Sequence, residues 1–210
     1  MHRSTGWTLA VLAVAAALVA GLVIEMRRDT TATAPGSQRS SAPVAAGQDL
    51  NVLRQRADLP PCRVAPDGAG PPALRDVTVA CAADGEPVDV ARMLAGRRVV
   101  LNLWAYWCRP CRDELPALAE YQRRAGPGVT VVTVHQDDNE AAGLALLAEL
   151  GVRLPTLQDG RRRVAAALRV PNVMPATVVL AADGSVARIL PQPFATVEEI
   201  AAAVEEREAP

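Results

Sequence analysis

The sequence predicts an α/β domain built on a central mixed β-sheet flanked by helices. Three observations carry that expectation. The runs 99–104 and 129–134 are almost continuously apolar, as strands are when helices cover both faces of a sheet. Each is followed by a stretch with helical spacing, 108–124 and 140–150. Near the end, two further apolar runs flank Ala182-Asp183-Gly184-Ser185, and Asp-Gly between apolar runs signals a hairpin.

Taken in order, residues 77–80 form a short strand candidate, closed by the turn signal Asp84-Gly85. Residues 89–94 read as a short helix with Asp89 near its start. The strand 99–104 leads into the helix 108–124, and the strand 129–134 into a helix at 140–150 that stops at Gly151. A further helix is expected over 161–168. The hairpin strands are 176–180 and 186–190. A closing helix runs over 196–206, with Thr196 as N-cap and Glu199 completing a capping box. The order is β-α-β-α-(α)-β-β-α, and there is no internal repeat.

The domain is expected over 58–210, and what precedes it differs in kind. Residues 7–24 are an uncharged, mostly apolar run that as a helix would span about 27 Å, enough for a hydrocarbon core. Arg3 supplies a positive end, and His2 lies in the same short head. Two readings stand. One is a secretory signal cleaved after Ala32-Thr33-Ala34. The other is an uncleaved signal anchor over 1–29. Charges at Glu25, Arg27, Arg28 and Asp29, between the run and the small-residue site, favour the anchor. Residues 30–57, rich in Ala, Thr, Ser, Pro, Gly and Gln, read as a flexible linker.

Composition removes some functions. Half the residues are apolar, so a core can form, and the formal net charge is −1. No basic stripe with interleaved aromatics is present, which argues against nucleic-acid binding. Nothing points to an obligate oligomer, and a monomer is expected.

The chemistry concentrates in Trp104-Ala105-Tyr106-Trp107-Cys108-Arg109-Pro110-Cys111, where an apolar strand gives way to a helix. Two cysteines three apart on a first helical turn can close a disulfide or open to a dithiol. Cys108, at the helix N-terminus, is favoured as thiolate by the helix dipole, by unpaired N–H groups and by Arg109 beside it. It is the expected nucleophile. Cys111, one turn inward, is the expected resolving cysteine. Pro110 suits the first turn of a helix. A static disulfide or half a zinc knuckle is the alternative, but a C-x-x-C between strand and helix in a β-α-β setting points to redox chemistry.

These residues resemble the thioredoxin superfamily. The segment from Asn102 through Trp107-Cys108-Arg109-Pro110-Cys111-Arg112-Asp113-Glu114-Leu115-Pro116 is similar to its TlpA/ResA branch. The resemblance covers roughly residues 58–206. It implies a thioredoxin-like fold and an extracytoplasmic, often membrane-anchored thiol–disulfide oxidoreductase, with no cofactor and no metal. It implies protein thiol or disulfide substrates, re-reduction by a membrane electron donor, and a role such as cytochrome c maturation. It also implies residue roles. Pro116 matches a proline that kinks the active-site helix, and Glu114 an acid that influences the titration of the cysteines. Pro175 matches a cis-proline beside the site, and Met174 presents the backbone that pairs with substrate. Independently of the resemblance, Trp104 and Trp107 read as a hydrophobic rim around Cys108, with Trp104 equally placed for the core. Three positions depart from the pattern: Asn102 replaces a buried Asp of cytosolic thioredoxins, Arg109 stands where Gly or Glu is more usual, and Ala176 where Thr is common.

Cys62 and Cys81 lie outside this motif, among prolines. An even cysteine count in an exported chain suggests a structural disulfide, worth roughly 3 kcal/mol for a loop of about 20 residues. A redox relay, free thiols and a four-cysteine zinc site are the alternatives. His135 with Gln136-Asp137-Asp138-Asn139 reads as a solvated strand-end loop rather than a metal loop, and Arg161-Arg162-Arg163 as a solvated helix start. Three other activities compete with disulfide reduction. A thiol oxidase shares every residue and differs only in potential. A copper-binding module would want a histidine partner that is not evident, and a thiol peroxidase an isolated cysteine. The expected location is the cell membrane, single-pass, with the domain outside the cytoplasm. The alternative is secretion after cleavage.

Overall fold

The computed structural model describes residues 49–65 and 70–205. In chain order its elements are α1 (Leu50–Ala57), β1 (Thr78–Cys81), β2 (Pro87–Asp89), α2 (Val90–Met93), β3 (Arg98–Trp104), α3 (Arg109–Ala125), β4 (Val129–His135), α4 (Glu140–Leu150), β5 (Thr156–Gln158), α5 (Arg163–Ala167), β6 (Ala176–Leu180), β7 (Val186–Leu190) and α6 (Val197–Glu205). The strands form one mixed sheet in the order β2-β1-β5-β4-β3-β6-β7. Its centre is parallel: β3 pairs with β4, and β4 with β5. The flanks are antiparallel.

The continuous apolar run of β3 has its reason in two buried faces. Side chains alternate along a strand. Val99, Leu101 and Leu103 join one layer with Val132, Val134, Val178 and Leu180, while Val100 and Trp104 join the other with Val131 and Val179. The second layer is closed by Leu115, Leu118 and Tyr121 of α3. Asn102 lies between Val100 and Trp104 on that same face, so the alternation delivers a polar residue under α3.

The helix ends follow local chemistry. The Asp89 carboxylate accepts the Arg92 N–H at 3.1 Å and the Asn139 side chain the Ala142 N–H at 3.1 Å. Gly151 ends α4 in the left-handed region, φ 65. Thr196 accepts the Glu199 N–H at 3.2 Å, but the Glu199 carboxylate reaches back to the Ala195 N–H at 2.8 Å rather than to the cap residue.

Several expectations are corrected. The linker expected over 30–57 does not extend to 57: α1 fills its last eight residues. Ala57 is buried, and Leu50 and Leu53 pack on the layer that holds Leu144 and Leu147 of α4. Arg54 pairs with Glu140 at 2.9 Å. The domain expected to begin at 58 therefore includes at least Asp49. β2 and β5, three residues each, were not expected; runs that short show no periodicity, and the sheet ladder alone defines them. The helix expected over 161–168 shortens to α5. The anchor expected at 1–29 lies outside the described residues. Among the described residues, no helix is long and apolar enough to cross a membrane.

Candidate active site

Cys108 caps α3. Its backbone is extended (φ −80, ψ 104), and its Sγ accepts the Cys111 N–H at 3.3 Å. A sulfur here takes the place of the oxygen of an ordinary N-cap, at the positive end of a 17-residue helix. Cys108 and Cys111 are joined, S–S 2.09 Å. Cys108 is 5 % exposed and Cys111 0 %, so Cys108 is the more accessible of the two. Arg109 and Pro110 are exposed beside it, with Pro110 in the first turn as expected. Pro116 is exposed within α3.

Glu114 is fully buried, not a helix-surface charge. It follows Cys111 by three residues, on the same side of the helix. Oε2 accepts from Asn102 Nδ2 at 3.1 Å, and Oε1 from the Phe194 N–H at 3.3 Å. Asn102 also donates to Thr177 Oγ1 at 3.1 Å. Burial pushes the Glu114 carboxyl up to about 7, against the two hydrogen bonds that favour its charged form. A proton-accepting group with a balance near neutrality thus sits one turn from the inner sulfur.

Trp107 is 59 % exposed, and its indole N–H donates to Asp137 Oδ2 at 2.9 Å. Partial burial raises the Asp137 carboxyl, but hydrogen bonds from the Asn139 N–H and the Trp107 indole outweigh this and hold it below its ordinary value. Tyr106 and Val173 are also exposed. Trp104, by contrast, is fully buried core. The Met174–Pro175 peptide is cis. Pro175 is buried, and Met174 packs against the layer that contains Cys108 and Cys111.

Of two expectations about neighbouring residues, one fails and one holds in part. His135 is not in a solvated loop: it ends β4, 1 % exposed, with its ring 4.7 Å from that of Trp104 and Nδ1 2.8 Å from Gln158 Oε1. Burial pushes its pKa down, favouring the neutral imidazole. Arg161 and Arg163 are exposed, as expected of a solvated helix start, but Arg162 is half-buried and bonds to Gln136 and Asn172. Cys62 and Cys81 are joined, S–S 2.04 Å, fastening the segment after α1 to the end of β1. Among the described residues, no three His, Cys, Asp or Glu side chains are grouped to hold a metal ion.

Sequence reasoning missed Thr177, the Phe194 N–H and the Asp137–Trp107 bond. For the first two no local signal exists, because their partners lie 75 and 80 residues away. Burial of Glu114 was legible: with Cys111, Leu115, Leu118 and Tyr121 it completes the inward stripe of α3.

This chain is similar to known proteins in sequence and in fold. The Redoxin family model matches residues 65–204, two thirds of the chain. The chain belongs to the Redoxin family. The chain is 32% identical over 98 residues to the thiol-disulfide oxidoreductase ResA of Bacillus subtilis, covering 46% of this chain and 54% of ResA. It thus spans about half the length of the curated relatives it matches. A secreted Mycobacterium tuberculosis disulfide oxidoreductase homologous to E. coli DsbE superposes with TM-score 0.54 at 28% identity, over 63% of this chain and 96% of that one. MTB DsbF, solved in mixed oxidised and reduced forms, superposes with TM-score 0.56 at 25% identity, over 64% and 96%. The fold is thioredoxin-like.

Proposed function

We propose that this Redoxin-family protein is a thiol–disulfide oxidoreductase that reduces protein disulfides through Cys108 and Cys111. The observation that carries the reading is the asymmetry of the pair: an outer, N-capping sulfur and a fully buried inner one one turn away. In the reduced protein, the Cys108 thiolate attacks a substrate disulfide. One Cys108–substrate S–S bond forms, the substrate S–S bond breaks, and one substrate sulfur leaves as thiolate. Cys111 then gives up its proton and attacks Cys108, releasing the second substrate thiolate. The substrate gains two electrons and the enzyme pair loses two.

Glu114, balanced near neutrality beside Cys111, is suited to take the Cys111 proton. Trp107, Met174 and Pro175 provide the surface on which the substrate chain lies. Cys62–Cys81 serves as a structural brace. The related thiol-disulfide oxidoreductases support this reading, as does the aromatic rim of Tyr106 and Trp107. Re-reduction is assigned to a membrane electron donor, and a role in cytochrome c maturation fits the same branch. Residues 1–29 anchor the chain, with the domain outside the cytoplasm. A membrane-impermeant thiol label that reaches the reduced domain in intact cells supports that topology, and protection of the domain refutes it.

The deciding experiment is the reduction potential of the Cys108–Cys111 pair, poised in graded thiol–disulfide buffers and followed by tryptophan fluorescence. A value below about −220 mV is expected of a reductase, whereas one near about −120 mV assigns thiol oxidation instead. Absence of any two-electron transition removes the enzyme reading altogether. In parallel, Cys111→Ser traps the mixed disulfide on Cys108, and Cys108→Ser traps none.

A further inference from the structure

Arg162 precedes α5 with φ 55 and ψ 34, a left-handed conformation that non-glycine residues seldom adopt. Asp159 fixes that geometry: its carbonyl accepts the Arg162 N–H at 2.9 Å, and its buried carboxylate accepts the N–H groups of Arg163 and Val164 at 3.0 and 2.8 Å. From this position the guanidinium reaches two loops. Nε donates to Gln136 Oε1 at 2.7 Å, and Nη1 donates to Asn172 Oδ1.

Each loop leads to one wall of the site. Gln136 is buried, its N–H donates to the Trp104 carbonyl at 2.8 Å, and the next residue, Asp137, holds the Trp107 indole. Asn172 directly precedes Val173, Met174 and Pro175. Trp107 directly precedes Cys108, and Met174 packs against the apolar layer that contains Cys108. Arg162 hydrogen-bonds to both loops, and a planar guanidinium can hold both acceptors in fixed relation.

We propose that Arg162 is a positioning residue that sets the separation of the Trp107 wall and the Val173–Pro175 wall, and so selects polypeptide disulfides over small ones. A polypeptide must lie against both walls to present its disulfide to Cys108. A small disulfide needs only access to the sulfur. The inference rests on the reductase reading above.

The test compares the full chain with Arg162→Gly, which removes the guanidinium while suiting the left-handed backbone. Asn172→Ala breaks the clasp from its exposed end. Insulin, kept turning over with dithiothreitol, is the polypeptide disulfide, and the aromatic disulfide DTNB reacting with the pre-reduced chain is the small one. Losing a hydrogen bond to a charged group predicts a rise of about tenfold in KM for insulin, with kcat and the DTNB rate within about twofold. The double variant is expected to be no worse than Arg162→Gly alone, because both changes break one link. An insulin KM that does not rise, equal losses with insulin and DTNB, or fully additive effects overturn the inference while leaving the reductase reading intact. A wild-type chain that reduces neither disulfide overturns both.

Discussion

Asn102 donates to Glu114 across 3.1 Å inside the core, joining the polar residue of β3 to the acid one turn beyond Cys111. The bond favours the charged carboxylate, yet burial outweighs it and sets the balance at about 7. Between its ordinary 4.5 and about 7, the folded protein holds a proton that the unfolded chain has released. Stability from this group is therefore greatest at low pH and falls as pH rises through 7, by roughly 3 kcal/mol in all at 1.36 kcal/mol per pH unit. His135 acts in the opposite sense. Its lowered pKa means that the unfolded chain binds the extra proton, so its contribution is present above 6.5 and lost as pH falls. Glu114→Gln removes only the first effect. Urea unfolding is expected to show the variant gaining on the wild type from pH 5 to pH 8; parallel profiles would contradict a raised Glu114.

Gly143 is a helix-interior glycine at which alanine is expected to destabilise. A Cβ there would lie 2.8 Å from Cε1 and 2.9 Å from Nδ1 of His135. Alanine gains about 1 kcal/mol of helix propensity. Overpacking against a ring held between Trp104 and Gln158 costs about 1–3 kcal/mol. The second effect wins, and Gly143→Ala should unfold at lower urea. A higher midpoint would mean that the ring moves aside freely.

A chain that begins at Asp58 should be less stable than one that begins at Asp49. It lacks α1, and with it the burial of Ala57 and the packing of Leu50 and Leu53. Two half-buried leucines are worth about 2 kcal/mol. Equilibrium denaturation of the two chains measures the difference. Equal stability would assign residues 49–57 to the spacer after all.

Removing the second disulfide should weaken the fold without altering the redox pair. Cys62 and Cys81 are separated by 19 residues, and opening such a loop costs roughly 3 kcal/mol in the chain-entropy model. Cys62→Ala with Cys81→Ala should lower the unfolding free energy by that amount and leave the Cys108–Cys111 potential unchanged. A shifted potential at unchanged stability would instead argue for a relay between the pairs.

The sequence by itself determined the parts of this protein that depend on neighbours in the chain. Apolar runs marked β3, β4 and β6 because buried strands need apolar residues on both faces, and the Asp183-Gly184 turn marked β7 as a hairpin partner. Gly151, Asp89 and Thr196 marked helix ends because caps are satisfied locally, and Trp107 to Cys111 marked the redox pair because C-x-x-C chemistry is built on one helical turn. Only the tertiary structure decided the rest. β2 and β5 exist because a ladder pairs them, and α1 because α4 offers it a surface. His135 is a core residue because Trp104 and Gly143 surround it. Glu114 owes its balance to burial, opposed by hydrogen bonds from Asn102 and Phe194, and Arg162 bridges Gln136 to Asn172. In each case the decisive partner is remote in sequence, and desolvation and hydrogen bonding act through space.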